Sequence, residues 1–323
     1  MCRARVPAGL QGTDTVSHDL AAARGVYIIA PTPFDDEGRI DVRSIATMVD
    51  FYRDRGVTGI TVLGMMGEAP KLTQAESLAV VRHVLDAAGE MPVVVGVSAP
   101  GFAAMGELAS AVMAAGAAGV MVAPPASVRS DDAAVAYYRQ ASVAVGADTP
   151  MVVQDFPLIT NVVLTPAVIG RIVEACPGVA MLKHEDWPGL GKITALRAQE
   201  TAGRRRIAIL CGNGGLFLPE EMRRGADGAM TGFAFPEMMV DVVRLSAAGD
   251  VDRAADLFDA YLPLARYEQQ PGMGLAVRKY VLARRGAIAS AAQRQPGAGL
   301  SPQAVAEVER LLARQARRLE ELN

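Results

Sequence analysis

The 323-residue, 33.9 kDa chain is 51% apolar, 21% charged and only 5% aromatic, with 32 Gly and 19 Pro, which excludes a disordered or collagen-like polymer and supplies a large aliphatic core. Lys+Arg total 32 against 35 Asp+Glu, a net charge of −3, so no basic field is present to hold nucleic acid. No apolar run reaches the roughly 18 residues of a membrane span.

In chain order, residues 1–20 carry two Arg without an apolar h-region and read as an N-terminal extension rather than a signal peptide. Cys2, Cys176 and Cys211 are odd in number and scattered, which argues against a disulfide framework and for the reducing cytoplasm. Strand-like runs follow at 25–30, 59–64, 91–98, 119–124, 151–156, 179–184, 207–212 and 228–233. They are continuously apolar rather than alternating, as parallel strands covered on both faces are. Between them, 41–56, 73–89, 103–117, 132–146, 165–175 and 189–202 have helical spacing and room for a crossover helix each. Thr73 with Glu76 predicts a capping box, and Thr165-Pro166 an N-cap with Pro in the first turn. Eight βα units in a row predict a (β/α)8 TIM barrel over 21–235 rather than an open doubly wound sheet. Residues 236–323 predict a C-terminal helical region: a loop near 286–301 and a last helix near 302–321 whose Val305, Val308, Leu311, Leu312 and Leu319 cover a neighbour.

Four of the 32 basic residues are Lys (Lys71, Lys183, Lys192 and Lys279), leaving 28 Arg. Lys71, Lys192 and Lys279 lie in polar or helical contexts where a solvated amine is the default. Lys183 instead ends the apolar run Val179–Leu182, at the strand-end face where barrel enzymes carry their chemistry. One reading is an amine that reaches past the strand into water. The other is an amine whose charged form is poorly hydrated in an apolar mouth, free to attack a ketone as a Schiff-base nucleophile. Glu185 shares the face of Lys183 by strand alternation, as ion-pair partner or proton shuttle, and His184 points away. Gln154 and Phe156 share a face of strand five, and a buried Gln154 must be hydrogen-bonded. Gly64-Met65-Met66-Gly67-Glu68 after strand two is a loop whose backbone N–H groups can approach a carboxylate. Asn213, Thr231 and Phe233, at the ends of strands seven and eight, are candidate substrate contacts. Trp187 lines the mouth or covers the rim. His18, His83 and His184 lack partners at metal spacing, so neither metal nor cofactor is expected.

The pattern resembles the dihydrodipicolinate synthase / N-acetylneuraminate lyase family of class I aldolase-type barrels. The matches are Thr32-Pro33-Phe34, Gly64…Gly67-Glu68, Pro157, Lys183, Gly212-Asn213, Gly225-Ala226-Asp227-Gly228, and Lys279 with Leu282 and Gly286. The resemblance implies Lys183 as Schiff-base lysine, residues 64–68 as the pocket for the carboxylate of a 2-keto acid, and a homotetramer built as a dimer of dimers. The departures are equally informative. Met65 and Met66 replace two hydroxyl residues, Gln154 and Ala126 each replace a tyrosine, and Ile159 replaces an arginine. Met, Ala and Gln cannot exchange a proton near neutrality, so the family's proton relay cannot run here. A 4-hydroxy-tetrahydrodipicolinate synthase-like condensing enzyme is therefore disfavoured, and a non-catalytic 2-oxo-acid-binding relative is disfavoured by Lys183 and Glu185 together. Gln154, Pro157, Lys183 and Glu185 resemble the 2-keto-3-deoxy sugar acid branch. The expectation is a Schiff-base lyase, dehydratase or aldolase, with dehydration slightly favoured.

Overall fold

A computed structural model describes residues 18–187 and 189–322; the expectations for Cys2 and for the extension up to residue 17 fall outside them. Eight parallel strands close into a barrel in chain order, β1-β2-β3-β4-β5-β6-β7-β8. They are Gly25–Ile29, Gly59–Val62, Val93–Gly96, Gly119–Val122, Met151–Asp155, Val179–His184, Ala208–Cys211 and Gly228–Ala229. β1 closes on β8 through Gly25↔Gly228 and Val26↔Ala229. The strands are shorter than the apolar runs because the last one or two residues of several runs turn into the loops of the mouth.

The helices follow the sequence signals closely. They are α1 (Val42–Arg53), α2 (Gln74–Ala88), α3 (Phe102–Ala114), α4 (Asp131–Val145), the short α5 (Pro157–Thr160), α6 (Pro166–Ala175), α7 (Leu190–Thr201) and α8 (Leu218–Arg223). The capping box of Thr73 and Glu76 is formed, and the Thr165 hydroxyl accepts from the N–H of Val168. After the barrel come α9 (Pro236–Ala247), α10 (Val251–Glu268), α11 (Gly274–Arg284) and α12 (Pro302–Glu321). α12 lies on α10, burying Val308, with Glu307 accepting from Tyr267 (2.6 Å) and Glu309 from Tyr280 (2.8 Å).

Strand alternation divides the core in two. Tyr27, Ile29, Val94, Met121, Val152, Met181, Leu210 and Met230 fill the barrel, with Leu20 of the opening 3-10 turn plugging its floor. Their neighbours in sequence, such as Val26, Ile28, Val95, Val122 and Ile209, pack outward against the helices. β6 breaks the rhythm once. Met151 pairs with Val179 but Val152 with Met181, so β6 carries one extra residue. Ala180 and Met181 both lie in the inner cluster, and from there Lys183 falls on the inner face.

All four lysines are held by carboxylates. Lys192 and Lys279 are buried and Lys71 is partly so, contrary to the solvated default expected for them. Lys192 and Lys279 find Asp155 and Glu68 on other elements, which helical spacing alone does not show, whereas Lys71 pairs with Glu68 three residues before it. A further buried carboxyl, Glu221 of α8, lies where burial pushes it from 4.5 up to about 7, with His184 and Cys211 opposing the shift. The native state thus keeps this proton while the unfolded chain loses it near 4.5, so stability falls as pH rises from 4.5 to 7. The slope is at most about 1.4 kcal/mol per pH unit. Glu221→Gln should flatten that slope in urea titrations across the window; an unchanged slope would remove Glu221 as its source.

Candidate active site

At the mouth, three inward side chains of β5 and β6 meet. The Lys183 amine lies 2.9 Å from Glu185 Oε2, and the Gln154 amide donates to the same oxygen at 2.7 Å. All three side chains are buried, so this is an ion pair with an amide donor in a dry recess, not an amine in water. A proton can pass directly between Lys183 and Glu185. Gln154 fixes the carboxylate's rotation through Oε2.

The ladder continues past the strands to hold this geometry. The N–H of Glu185 donates to the Asp155 carbonyl (2.9 Å), the N–H of Gly212 to the His184 carbonyl (2.7 Å), and the Asn213 amide to the Glu185 carbonyl (2.9 Å). Gly212 is required for space rather than for its dihedrals. A Cβ there would stand 2.1 Å from Glu185 Cγ and 2.7 Å from its Cδ. Gly212→Ala should therefore leave the fold intact but swing Glu185 away, lowering kcat by about 100-fold. Steady-state kinetics beside a circular-dichroism melt would check it; a fully active variant would show that the carboxylate can shift without loss.

The loop after β2 forms a 3-10 turn, Met65–Gly67, between Gly64 and Glu68. The first N–H groups of such a turn, those of Met65 and Met66, have no acceptor within it. Thr32 donates to the Gly67 carbonyl at 2.6 Å and steadies the turn from β1's side. Met66 packs on the inner cluster, whereas Met65 is exposed. Glu68 sits apart from the other candidates. It adopts a left-handed conformation (φ 56°), and its buried carboxylate accepts from Lys279 (2.6 Å), Lys71 (2.8 Å) and the Arg294 N–H (3.1 Å). It anchors the turn to α11 and to the 286–301 stretch instead of facing a ligand. Lys279 also donates to the Ala292 carbonyl (2.8 Å) and lies over the Phe34 ring.

The remaining candidates divide. Asn213 touches the Glu185 backbone, and the Thr231 hydroxyl accepts from the Gly214 N–H at 2.8 Å, so both brace the β7 and β8 ends. Phe156 is half-buried at the start of α5. Phe233 departs from expectation: its ring is buried with Phe235 and Tyr261 in the outer core, because the chain bends after β8. Trp187 is 42% exposed and packs edge-on against Phe217, 4.8 Å away. His184 faces outward, buried beside Asp155. Gly212 and Lys192 are the residues whose geometry sequence reasoning missed. The scarcity of lysine was the available signal for the second.

The sequence model of the dihydrodipicolinate synthetase family matches residues 22–315. An L-2-keto-3-deoxyarabonate dehydratase of Azospirillum brasilense is 30% identical over 290 residues, 88% of this chain and 92% of that protein. A probable 2-dehydro-3-deoxy-D-pentonate aldolase of Escherichia coli is 27% identical over 248 residues, 74% of this chain and 80% of that one. Among solved structures, a dihydrodipicolinate synthase from Rhodopseudomonas palustris superposes with a TM-score of 0.90 at 58% identity, covering 91% and 98% of the two chains.

Proposed function

The chain belongs to the dihydrodipicolinate synthetase family and is a lyase of the class I, lysine Schiff-base type, and from that premise we propose that it dehydrates a 2-keto-3-deoxy sugar acid. Lys183 is the Schiff-base lysine, Glu185 the acid/base, and Gln154 the residue that orients it.

The shared oxygen of Glu185 carries this reading: one carboxylate, gripped by the amine at 2.9 Å and the amide at 2.7 Å, stands where the family's hydroxyl relay is absent. Glu185 takes a proton from Lys183, the neutral amine adds to the C2 ketone, and Glu185 returns that proton to the carbinolamine hydroxyl, which leaves as water to give the iminium with Glu185 again a carboxylate. The positive iminium acidifies C3, and Glu185 removes one of its protons to leave an enamine. Glu185 then returns a proton to the C4 hydroxyl, which departs as water, and hydrolysis of the conjugated iminium frees the product. The turn at 64–67 receives the C1 carboxylate on its backbone N–H groups. If Glu185 takes its proton from the C4 hydroxyl instead, the same iminium drives C3–C4 cleavage and the product is pyruvate plus an aldehyde. That second reading is supported by the likeness to the pentonate aldolase.

Met65, Met66, Gln154, Ile159 and Ala126 stand against a condensing role. Incubation with pyruvate and borohydride should place an adduct on Lys183. A panel of 2-keto-3-deoxy acids should then yield semialdehyde and water. An absent adduct would favour a non-catalytic 2-oxo-acid binder, pyruvate and aldehyde as products would favour the aldolase, and condensation of pyruvate with aspartate semialdehyde would overturn the assignment. The same reading carries a cytoplasmic homotetramer, checked by solution mass; no helix among the described residues is long and apolar enough to cross a membrane.

A further inference from the structure

Behind the candidate site, on the opposite face of the same strand ends, lies a second layer of buried charge that the chemistry above does not use. Alternation puts Gln154, Lys183 and Glu185 inside and Asp155 and His184 outside. Lys192 of α7 reaches into this outer layer. Its amine lies 2.6 Å from Asp155 Oδ2 and 2.8 Å from Asp186 Oδ2, with 6% of its side chain exposed. One amine thus grips the residue after Gln154 and the residue after Glu185. Those are the two positions that must stay in register for the Gln154–Glu185 contact at 2.7 Å.

The surroundings leave this amine little freedom. His184 is buried with Nδ1 3.8 Å from Asp155 Oδ2, and a Cβ on Gly189 would stand 2.4 Å from the His184 ring and 2.9 Å from Asp186 Cβ. The loop into α7 is therefore pressed against the strand end. Asp155 Oδ1 and both His184 ring nitrogens, all buried, have no partner, so the layer is not a fully satisfied stabilising network. A buried ion pair often adds little stability over an apolar substitute of similar volume, and in some proteins its role is to specify register instead.

Resting on the reading of Glu185 as acid/base, we propose that Lys192 is a positioning residue for the proton transfer, holding the tips of β5 and β6 together from outside the barrel. It touches no substrate. Its loss should slow the step that needs Glu185 and spare the step that needs only Lys183.

Pyruvate in D2O separates the two. Lys183 forms the iminium, Glu185 removes a methyl proton, and a deuteron returns to the enamine carbon, so exchange is read by mass without turnover of a full substrate. Lys192→Met is expected to slow exchange at saturating pyruvate by about tenfold or more, with half-saturating pyruvate for the borohydride adduct changed less than about twofold. Lys192→Arg should recover part of the rate. Wild-type exchange in a folded Lys192→Met protein would overturn the inference, as would a loss confined to adduct formation. Should Lys192→Met fail to fold, Asp186→Asn, which removes one of the two grips from a partly exposed loop, decides it: slowed exchange supports, unchanged exchange refutes. Glu185→Gln is the reference for the reading underneath. If that variant exchanges like wild type, Glu185 is not the base, and the failure belongs to the functional reading and carries the role of Lys192 down with it.

Discussion

Lys183→Met is expected to abolish turnover, by on the order of 10^5-fold in kcat, and to eliminate the borohydride-trapped pyruvate adduct at every pyruvate concentration. Methionine nearly matches the volume of the lysine stem in the inner layer, so the barrel should fold. The ketone then loses this nucleophile, and none of the other three lysines shares the mouth: Lys192 faces the helices, and Lys71 and Lys279 are tied to Glu68. Melting by circular dichroism together with the intact-mass assay checks both halves. Residual adduct on another lysine would move the chemistry elsewhere.

Glu185→Gln should behave differently. The amide keeps the shape of the side chain and can still sit beside Gln154 and Lys183, so pyruvate should still be trapped on Lys183, though more slowly because the carboxylate no longer takes the amine's proton. Proton removal at C3 should fall by about 10^3-fold, a magnitude ordinary for loss of a positioned acid/base. Rapid-quench analysis of a 2-keto-3-deoxy acid would then show an accumulated iminium. An active variant would remove Glu185 from the mechanism, and loss of the adduct itself would make it a partner in Schiff-base formation alone.

Much of this architecture was legible because it is local. β-branched runs, a capping box at Thr73 and a Thr-Pro start at residue 165 are read within a few positions, and the barrel follows from eight such units. Strand parity placed Glu185 beside Lys183 and His184 opposite. What was hidden depends on residues far away in sequence. Lys192 reaches Asp155, 37 positions distant, and Lys279 reaches Glu68, 211 positions distant, so their burial could not be seen in the helices that carry them. Glu68 looks like part of an anion pocket when read beside Gly64 and Gly67; only the arrival of α11 and Arg294 shows its carboxylate already occupied. Phe233 lies on the apparent extension of strand eight, but that strand ends at Ala229 and the chain bends, so its parity carries no information.

The way β6 absorbs one additional residue decides which side of the wall each side chain beyond it occupies. The step from Val179 to Met181 opposite consecutive residues of β5 is a phase change in an otherwise two-beat strand. Were Ala180 instead paired in strict alternation from the outward Val179, with no bulge, everything beyond it would turn over: the amine and carboxylate would face α7, and the imidazole of His184 would look into the lumen. Such a chain would still spell the whole lysine motif, yet present the keto acid with a histidine. Residue identity at the mouth is thus incomplete without the pairing of the strand that leads to it, which sets what faces the lumen.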